Sequence, residues 1–285
     1  MKYQSIIVIG NGSLLTRCLQ WLLRQLVCPV NCVETGASSF SGLPRFCQDN
    51  GVHYVAFPAK EQLNNSLGAV SDSTLVLSIH NSVIFTSATL NNRNLRIVNF
   101  HNSLLPRHPG RNAPSWAIYE MDEMGGITWH EVIREVDRGD IIAQRGLPIT
   151  AKMNGIELTR ACANLGFECF KEILPSLLAD TYVPLRQDED THKMHFAREI
   201  PNDGILDPDW PVVRMSAFLR ALDYGAHSIF EKPRVNCDGQ WYVIDKYMIE
   251  EGVALRDARP PANDDLIFSD GTKAVRMRVK PFGAR

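Results

Sequence analysis

Five short apolar runs, set apart by stretches long enough for helices, constrain what this chain can fold into. Ser5-Ile6-Ile7-Val8-Ile9 stops at Gly10-Asn11-Gly12-Ser13, and a helical pattern follows with Leu15, Leu19, Leu22, Leu23 and Leu26. Further runs lie at Pro29 to Val33, Val52 to Phe57, Thr74 to Ile79 and Leu95 to Phe100. Uninterrupted apolar strands are buried on both faces, and strands joined by crossover helices run parallel. The expected fold class is α/β, a doubly wound, Rossmann-like, mostly parallel sheet. Ligands on such sheets gather beyond the carboxyl ends of the strands. Gly10 to Ser13, Ile79 to Phe85 and Asn99 to Pro106 all fall there.

Past the sheet, Leu158, Cys162, Leu165, Cys169 and Ile173 recur at steps of three and four, which predicts a long helix from about Gly155. Pro175 is expected to kink or end it. Arg186 to Lys193 is eight polar residues in a row and reads as an exposed linker. Beyond it come a helix around Val212 to Leu222 and strands at Trp241 to Ile249, Asp265 to Phe268 and Ala274 to Val279, with turns at Asp238-Gly239 and Asp270-Gly271. The expected organisation is a domain over 1–185, a linker over 186–194 and a small β-rich domain over 195–285.

A formal net charge of −2 argues against a polyanion as partner. The N-terminus lacks a signal peptide's apolar stretch, and no run of about 18 apolar residues suggests a membrane span. The seven scattered cysteines fit reduced thiols in the cytoplasm, with no complete zinc ligand set.

Two segments carry candidate chemistry, and a third resembles a nucleotide site. Gly10-Asn11-Gly12, with Glu34 at the distance of a ribose-binding acid, suggests dinucleotide binding, but position 15 is Leu where the third glycine belongs. The turn reads better as a strand-to-helix corner whose N–H groups Asn11, Gly12 and Ser13 can turn to a ligand. In Asn99-Phe100-His101 a period-two step puts Asn99 and His101 on one face of a strand end, where both can donate to one oxygen. Downstream, Val136-Asp137-Arg138-Gly139-Asp140 is a tight turn that presents two acids.

Asn99-x-His101-x-Ser103-Leu104-Leu105-Pro106, Pro109-Gly110-Arg111, the G-x-T-x-H strand at Gly126 to His130 and the V-D-x-G-D-I turn at Val136 to Ile141 together resemble the folate-dependent formyltransferases. That group includes the glycinamide ribonucleotide, methionyl-tRNA and sugar-amine enzymes. It also includes the formylation domains of nonribosomal peptide synthetases, which Ile79-His80-Asn81 and Thr128-Trp129-His130 most resemble. The resemblance spans roughly residues 5 to 180, and more faintly a C-terminal OB-like domain. It implies 10-formyltetrahydrofolate as donor, no metal, and Asn99, His101 and Asp137 as the catalytic trio. It further implies a pterin pocket walled by Ser82, Val83, Ile84 and Phe85 on one side and by Val132, Arg134 and Val136 on the other. Ser103, Leu104, Leu105 and Pro106 complete its folate face. Asn102 stands where many members have proline, and His130 matches a histidine near the folate in the purine-pathway enzyme without an assigned role.

The acceptor is expected to be a small-molecule or carrier-bound primary amine, and a homodimer is compatible with the sequence. From His195 to Arg285 there are thirteen Lys and Arg against fourteen Asp and Glu, which disfavours a tRNA acceptor. A formyltetrahydrofolate hydrolase is disfavoured by a first strand at about Ser5. The intact trio argues against a silent folate-binding module. A nicotinamide dehydrogenase is separated from these by whether NADH or a folate protects the protein against heat.

Overall fold

A computed structural model describes residues 2–25, 28–36, 41–57, 59–188, 193–227, 229–251 and 265–282, arranged as two compact units. The first unit comprises Met1–Gly110, Gly126–Leu147 and Ala161–Met194. In chain order the elements are β1 (Ser5–Gly10), α1 (Gly12–Gln25), β2 (Val30–Thr35), α2 (Leu43–Asp49), β3 (His53–Phe57), α3 (Lys60–Gly68), β4 (Thr74–Ile79), α4 (Ser87–Leu90) and β5 (Leu95–His101). They continue through α5 (Ala113–Tyr119), β6 (Met124–Glu131), β7 (Ile141–Pro148) and α6 (Gly155–Ala179).

The five apolar runs become β1 to β5, all parallel, within a seven-stranded sheet of order β3-β2-β1-β4-β5-β6-β7. Every residue of β4 is buried, as a continuous apolar strand requires. β6 reverses direction and pairs with β5 so that Asn99 stands opposite His130 and His101 opposite Thr128. At the end of β1 a Cβ on Gly10 would lie 1.7 Å from the Ile79 carbonyl oxygen, so only glycine lets the first turn close against β4.

Two expectations are corrected here. α6 does not end at Pro175 but runs through it to Ala179. The missing N–H costs one hydrogen bond near the helix end, whereas continuing the helix buries Leu177 completely. The segment read as an exposed linker is not exposed throughout. Gln187, within it, is 8% exposed. Residues 189–192 of that segment lie outside the described residues.

The second unit comprises Arg111–Gly125, Pro148–Arg160 and His195–Arg285. It contains α5, α7 (Val212–Leu222) and a sheet of β8 (Ile205–Leu206), β9 (Arg234–Cys237), β10 (Gln240–Glu251), β11 (Asp265–Ser269) and β12 (Lys273–Pro281) in the order β11-β12-β10-β9-β8. The region is β-rich, as expected, and adds the short β8 and β9. Asp238 and Gly239 both take left-handed φ values, 51° and 84°, which suits a two-residue hairpin between β9 and β10. Met215, Phe218 and Leu219 of α7 share a core with Val235, Ile244, Leu266 and Met277 of the sheet. Among the described residues no helix is long and apolar enough to cross a membrane.

Candidate active site

β5 ends with two polar side chains on one face, and each is fixed by the strand beside it. Ser78 Oγ of β4 donates to Asn99 Oδ1 at 2.8 Å, which turns the amide nitrogen the other way. Asn99 Nδ2 then lies 3.1 Å from His130 Nε2 on β6 and donates to the Phe100 carbonyl at 3.2 Å. His130 Nδ1 is 2.7 Å from the Glu131 carbonyl oxygen, which can only accept, so Nδ1 carries a proton. The antiparallel pairing of Asn99 with His130 produces this contact directly.

His101 is 8% exposed and has an acceptor at each ring nitrogen. Nε2 is 2.9 Å from the His108 carbonyl oxygen, and Nδ1 is 3.5 Å from Asp137 Oδ2. The other carboxylate oxygen of Asp137 is 3.5 Å from His130 Nε2, so one carboxylate faces both imidazoles. Burial by itself would push the Asp137 carboxyl up. The charge of His101, the hydrogen bond and charge of His130, and the Gly110 N–H donated at 2.7 Å outweigh it and hold the group well below the usual carboxylate range.

The V-D-x-G-D turn has a physical reason for each of its fixed residues. Asp137 sits at φ 57°, a left-handed conformation that Asp tolerates better than most side chains. A Cβ at Gly139 would fall 1.8 Å from the Glu131 carbonyl oxygen, so glycine is needed for the turn to back onto β6. Asp140 closes it by accepting from Glu131 N through its backbone carbonyl at 2.9 Å.

The structure brings Asn99, His101 and Asp137 together. It also joins the two anticipated pocket walls, since Val83, Phe85 and Val132 pack against the same apolar cluster. Ile84, between them in sequence, is 58% exposed, and Ser82 and Arg134 are exposed while Val136 is half-buried. Ser103 to Pro106 is largely occupied with its own turn. Ser103 Oγ donates to the Arg107 carbonyl at 2.6 Å, Leu105 is buried, and a Cβ at Gly126 would lie 2.5 Å from Leu104, so that leucine packs against the glycine. Asn11, Gly12 and Ser13 stand apart from the trio, in a cavity over β1 and β2.

Several supporting residues carry no obvious mark in the sequence. Thr128 Oγ1 donates to the Ser103 carbonyl and accepts from Leu105 N and Gln144 Nε2 at 2.7 to 3.1 Å, pinning the turn after His101. Gln187 Nε2 donates to the Asp137 and Gly139 carbonyls at 2.9 and 2.7 Å. Asn64, 5% exposed on α3, donates to the Ile84 carbonyl and accepts from Thr86 N, which holds the loop around Ile84. A buried asparagine between Leu63 and Leu67 on the inner side of α3 is the one signal that could have been read.

Residues 56–174, which include Asn99, His101, His130 and Asp137, match the family model described as formyl transferase. This stretch belongs to the formyl transferase family. Methionyl-tRNA formyltransferase of Streptococcus pneumoniae (strain Hungary19A-6) is 36% identical to this chain over 111 residues, 39% of this chain and 35% of that protein. The matched stretch thus spans about a third of the length of that curated relative. Among solved structures, WlaRD, a sugar 3N-formyl transferase crystallised in the presence of dTDP and 5-N-formyl-THF, superposes with a TM-score of 0.69 at 17% identity over 99% of this chain and 98% of its own. The N-formyltransferase of Helicobacter canadensis in complex with folinic acid and dTDP-3-aminofucose gives 0.67 at 15% identity over 97% and 99%. HypX from Aquifex aeolicus in complex with tetrahydrofolic acid gives 0.66 at 15% identity over 97% of this chain and 44% of its own. At these identities the structural likeness establishes the formyl transferase fold.

Proposed function

We propose that this protein transfers the formyl group of 10-formyltetrahydrofolate to a primary amine, with Asn99, His101 and Asp137 as its catalytic residues. The observation that carries this reading is the convergence of an amide, an imidazole and a buried carboxylate at the open end of a parallel sheet. When bound, the folate supplies an activated formyl carbonyl. The bond from acceptor nitrogen to formyl carbon forms, the bond from that carbon to the folate nitrogen breaks, and one proton passes from the amine to that nitrogen. Asn99 Nδ2 and His101 Nδ1 meet the negative charge that builds on the formyl oxygen. To meet it, Asn99 Nδ2 gives up part of its contacts with the Phe100 carbonyl at 3.2 Å and His130 Nε2 at 3.1 Å, and His101 Nδ1 part of its contact with the Asp137 carboxylate at 3.5 Å. Asp137 is held ionised, so it orients His101 and can order a water that relays the proton from the amine to the folate nitrogen.

The residues present fit the donor. Val83, Phe85 and Val132 form one apolar surface and Ile84 exposes another beside it, suited to the flat ring of a pterin. Ser82, Arg134, Val136 and the turn from Ser103 to Pro106 are assigned to its rim, and Asn11, Gly12 and Ser13 to the acceptor side. The acceptor we favour is a small-molecule or carrier-borne amine. A tRNA would need free basic groups, yet the basic stripe of β12 is paired across its strands. Arg276 meets Glu250 at 3.0 Å and Asp265 at 3.8 Å, Arg278 meets Asp265 at 3.6 Å, and Lys280 meets Asp245 at 3.3 Å.

The test is a panel of amino sugars, amino acids, carrier-bound aminoacyl groups and charged initiator tRNA, with 10-formyltetrahydrofolate as donor and tetrahydrofolate release as readout. Asn99→Ala, His101→Ala and Asp137→Asn should each lower turnover about a hundredfold or more, in folded protein. Near wild-type turnover in Asp137→Asn would overturn the catalytic assignment, and rapid formylation of the tRNA would overturn the acceptor class.

A further inference from the structure

His80 follows β4 directly and takes a left-handed φ of 51°. A residue with a Cβ holds that conformation only where its surroundings require it. Here they are dense. A Cβ on Gly12 would lie 3.7 Å from His80 Nδ1, and the ring meets Phe100 edge-on, with centroids 5.3 Å apart and planes at 73°. Phe100 in turn leans on Trp129 at 5.2 Å, whose Nε1 donates to the Gly166 carbonyl at 3.1 Å. Because side chains alternate along a strand, Phe100 points away from the face shared by Asn99 and His101. His80 therefore lies behind the trio, across the sheet from it.

Surroundings this apolar do not require an imidazole. His80 Nε2 is buried and, among the described residues, meets no hydrogen-bond partner in good geometry, and the same is true of Asn102 Oδ1. A phenylalanine at position 80 would carry no such loss. The two side chains are neighbours. Burial pushes the His80 pKa down, and the Asn102 amide, within hydrogen-bond reach but not aligned, opposes it. The ring is thus neutral near pH 7 with one proton to place, and a proton on Nε2 complements an amide oxygen that has no other donor.

Phe100 and Asn102 are the residues on either side of His101 in the chain. A ring that packs on the first and bonds to the second holds His101 from both sides without touching it. Asn102 adds little stiffness of its own, since its φ is free where a proline's ring would fix it. We infer that His80 is a positioning residue for His101: it closes a hydrogen bond from Nε2 to Asn102 Oδ1 and so fixes the turn that carries the catalytic imidazole. The effect on turnover rests on the formyl-transfer reading, whereas the restraint itself rests on the fold alone.

Hydrogen exchange on the unliganded protein reads the restraint without any reaction. In His80→Phe and in Asn102→Ala the peptide covering the turn after β5 should exchange about tenfold faster or more, with β1 and β2 unchanged. His80→Phe keeps a ring on Phe100 and removes the unmet nitrogen, so its melting temperature should stand close to or above the wild-type value. With the best amine of the panel, both variants should lower kcat about tenfold or more and leave KM for amine and donor within about twofold. The double variant should be no worse than the worse single, because both remove the same bond. Asn102→Pro added to His80→Phe should bring turnover back to within about threefold of wild type, since the proline ring restrains the turn in place of His80. Unchanged exchange in the turn, unchanged kcat in both single variants, additive losses in the double, or a fall of more than about 5 °C in the melting temperature of His80→Phe would each overturn the inference. A wild-type protein that formylates no amine would overturn the functional reading instead, and the exchange result would still decide whether His80 restrains the turn.

Discussion

Replacing Gln187 by alanine should damage catalysis without touching any residue that meets substrate. The Gln187 amide nitrogen holds the carbonyls of Asp137 and Gly139 at 2.9 and 2.7 Å from a position that is 8% exposed. Each bond is worth about 0.5 to 1.5 kcal/mol net, and a carbonyl left unmet adds to the loss, so Gln187→Ala should cost about 2 to 3 kcal/mol. The mutation also frees a turn in which Asp137 sits at φ 57°. That conformation costs about 1 to 2 kcal/mol for a residue with a Cβ and persists because the surroundings hold it. Once released, the carboxylate drifts from His101 and His130, and displacement by about 1 Å can lower turnover by tens to a hundredfold. Urea titration gives the stability change, and steady-state kinetics with the best amine of the panel gives kcat. A shift below about 0.5 kcal/mol together with unchanged kcat would refute the view that Gln187 holds the Asp137 turn.

Two further outcomes follow from the same geometry. Ile84→Asp should abolish the rise in melting temperature that 5-formyltetrahydrofolate produces in the wild type, because the charge would have to be desolvated against a pterin; an unchanged rise would remove Ile84 from the pocket wall. Asp137 has a folded-state pKa below its ordinary value of 3.8, so its contribution to stability is fully present above that value and is lost as the pH falls from there through the lower folded value. The stability difference between wild type and Asp137→Asn should therefore shrink between about pH 5 and pH 2, and a difference flat across that window by urea titration would refute the carboxylate's role in holding the two imidazoles.

The sheet was legible because its central strands are largely buried, β4 completely, and burial leaves uninterrupted apolar runs in the sequence. Asn99 and His101 could be paired from the period of a strand alone. Asp137 could not, since it meets them only because β6 returns antiparallel and Gly139 folds the next turn onto Glu131. Its place came from the family resemblance. Gln187 was hidden in a run of polar residues that looks solvated, although its amide nitrogen is engaged with two backbone carbonyls. Pro175 misled because local backbone chemistry was weighed without the burial of Leu177 beyond it. Glu34 was noticed and set aside for want of a third glycine. Its burial against the Tyr54 hydroxyl is a property of the folded chain that no motif encodes.

The way the second unit is assembled has a consequence for dissecting this protein. Its core includes Tyr119 from α5 and Ile156 from the start of α6, which come from stretches far upstream of His195. A chain cut after Met194 would keep Trp116, Tyr119 and Ile156 but lose the leucines, valines and aromatic rings that cover them. Such a fragment should be sticky and poorly soluble even with its parallel sheet intact. The C-terminal region is therefore not a detachable module. Grafting it onto another protein, or exchanging it for a different domain, requires transplanting three separate stretches of sequence at once.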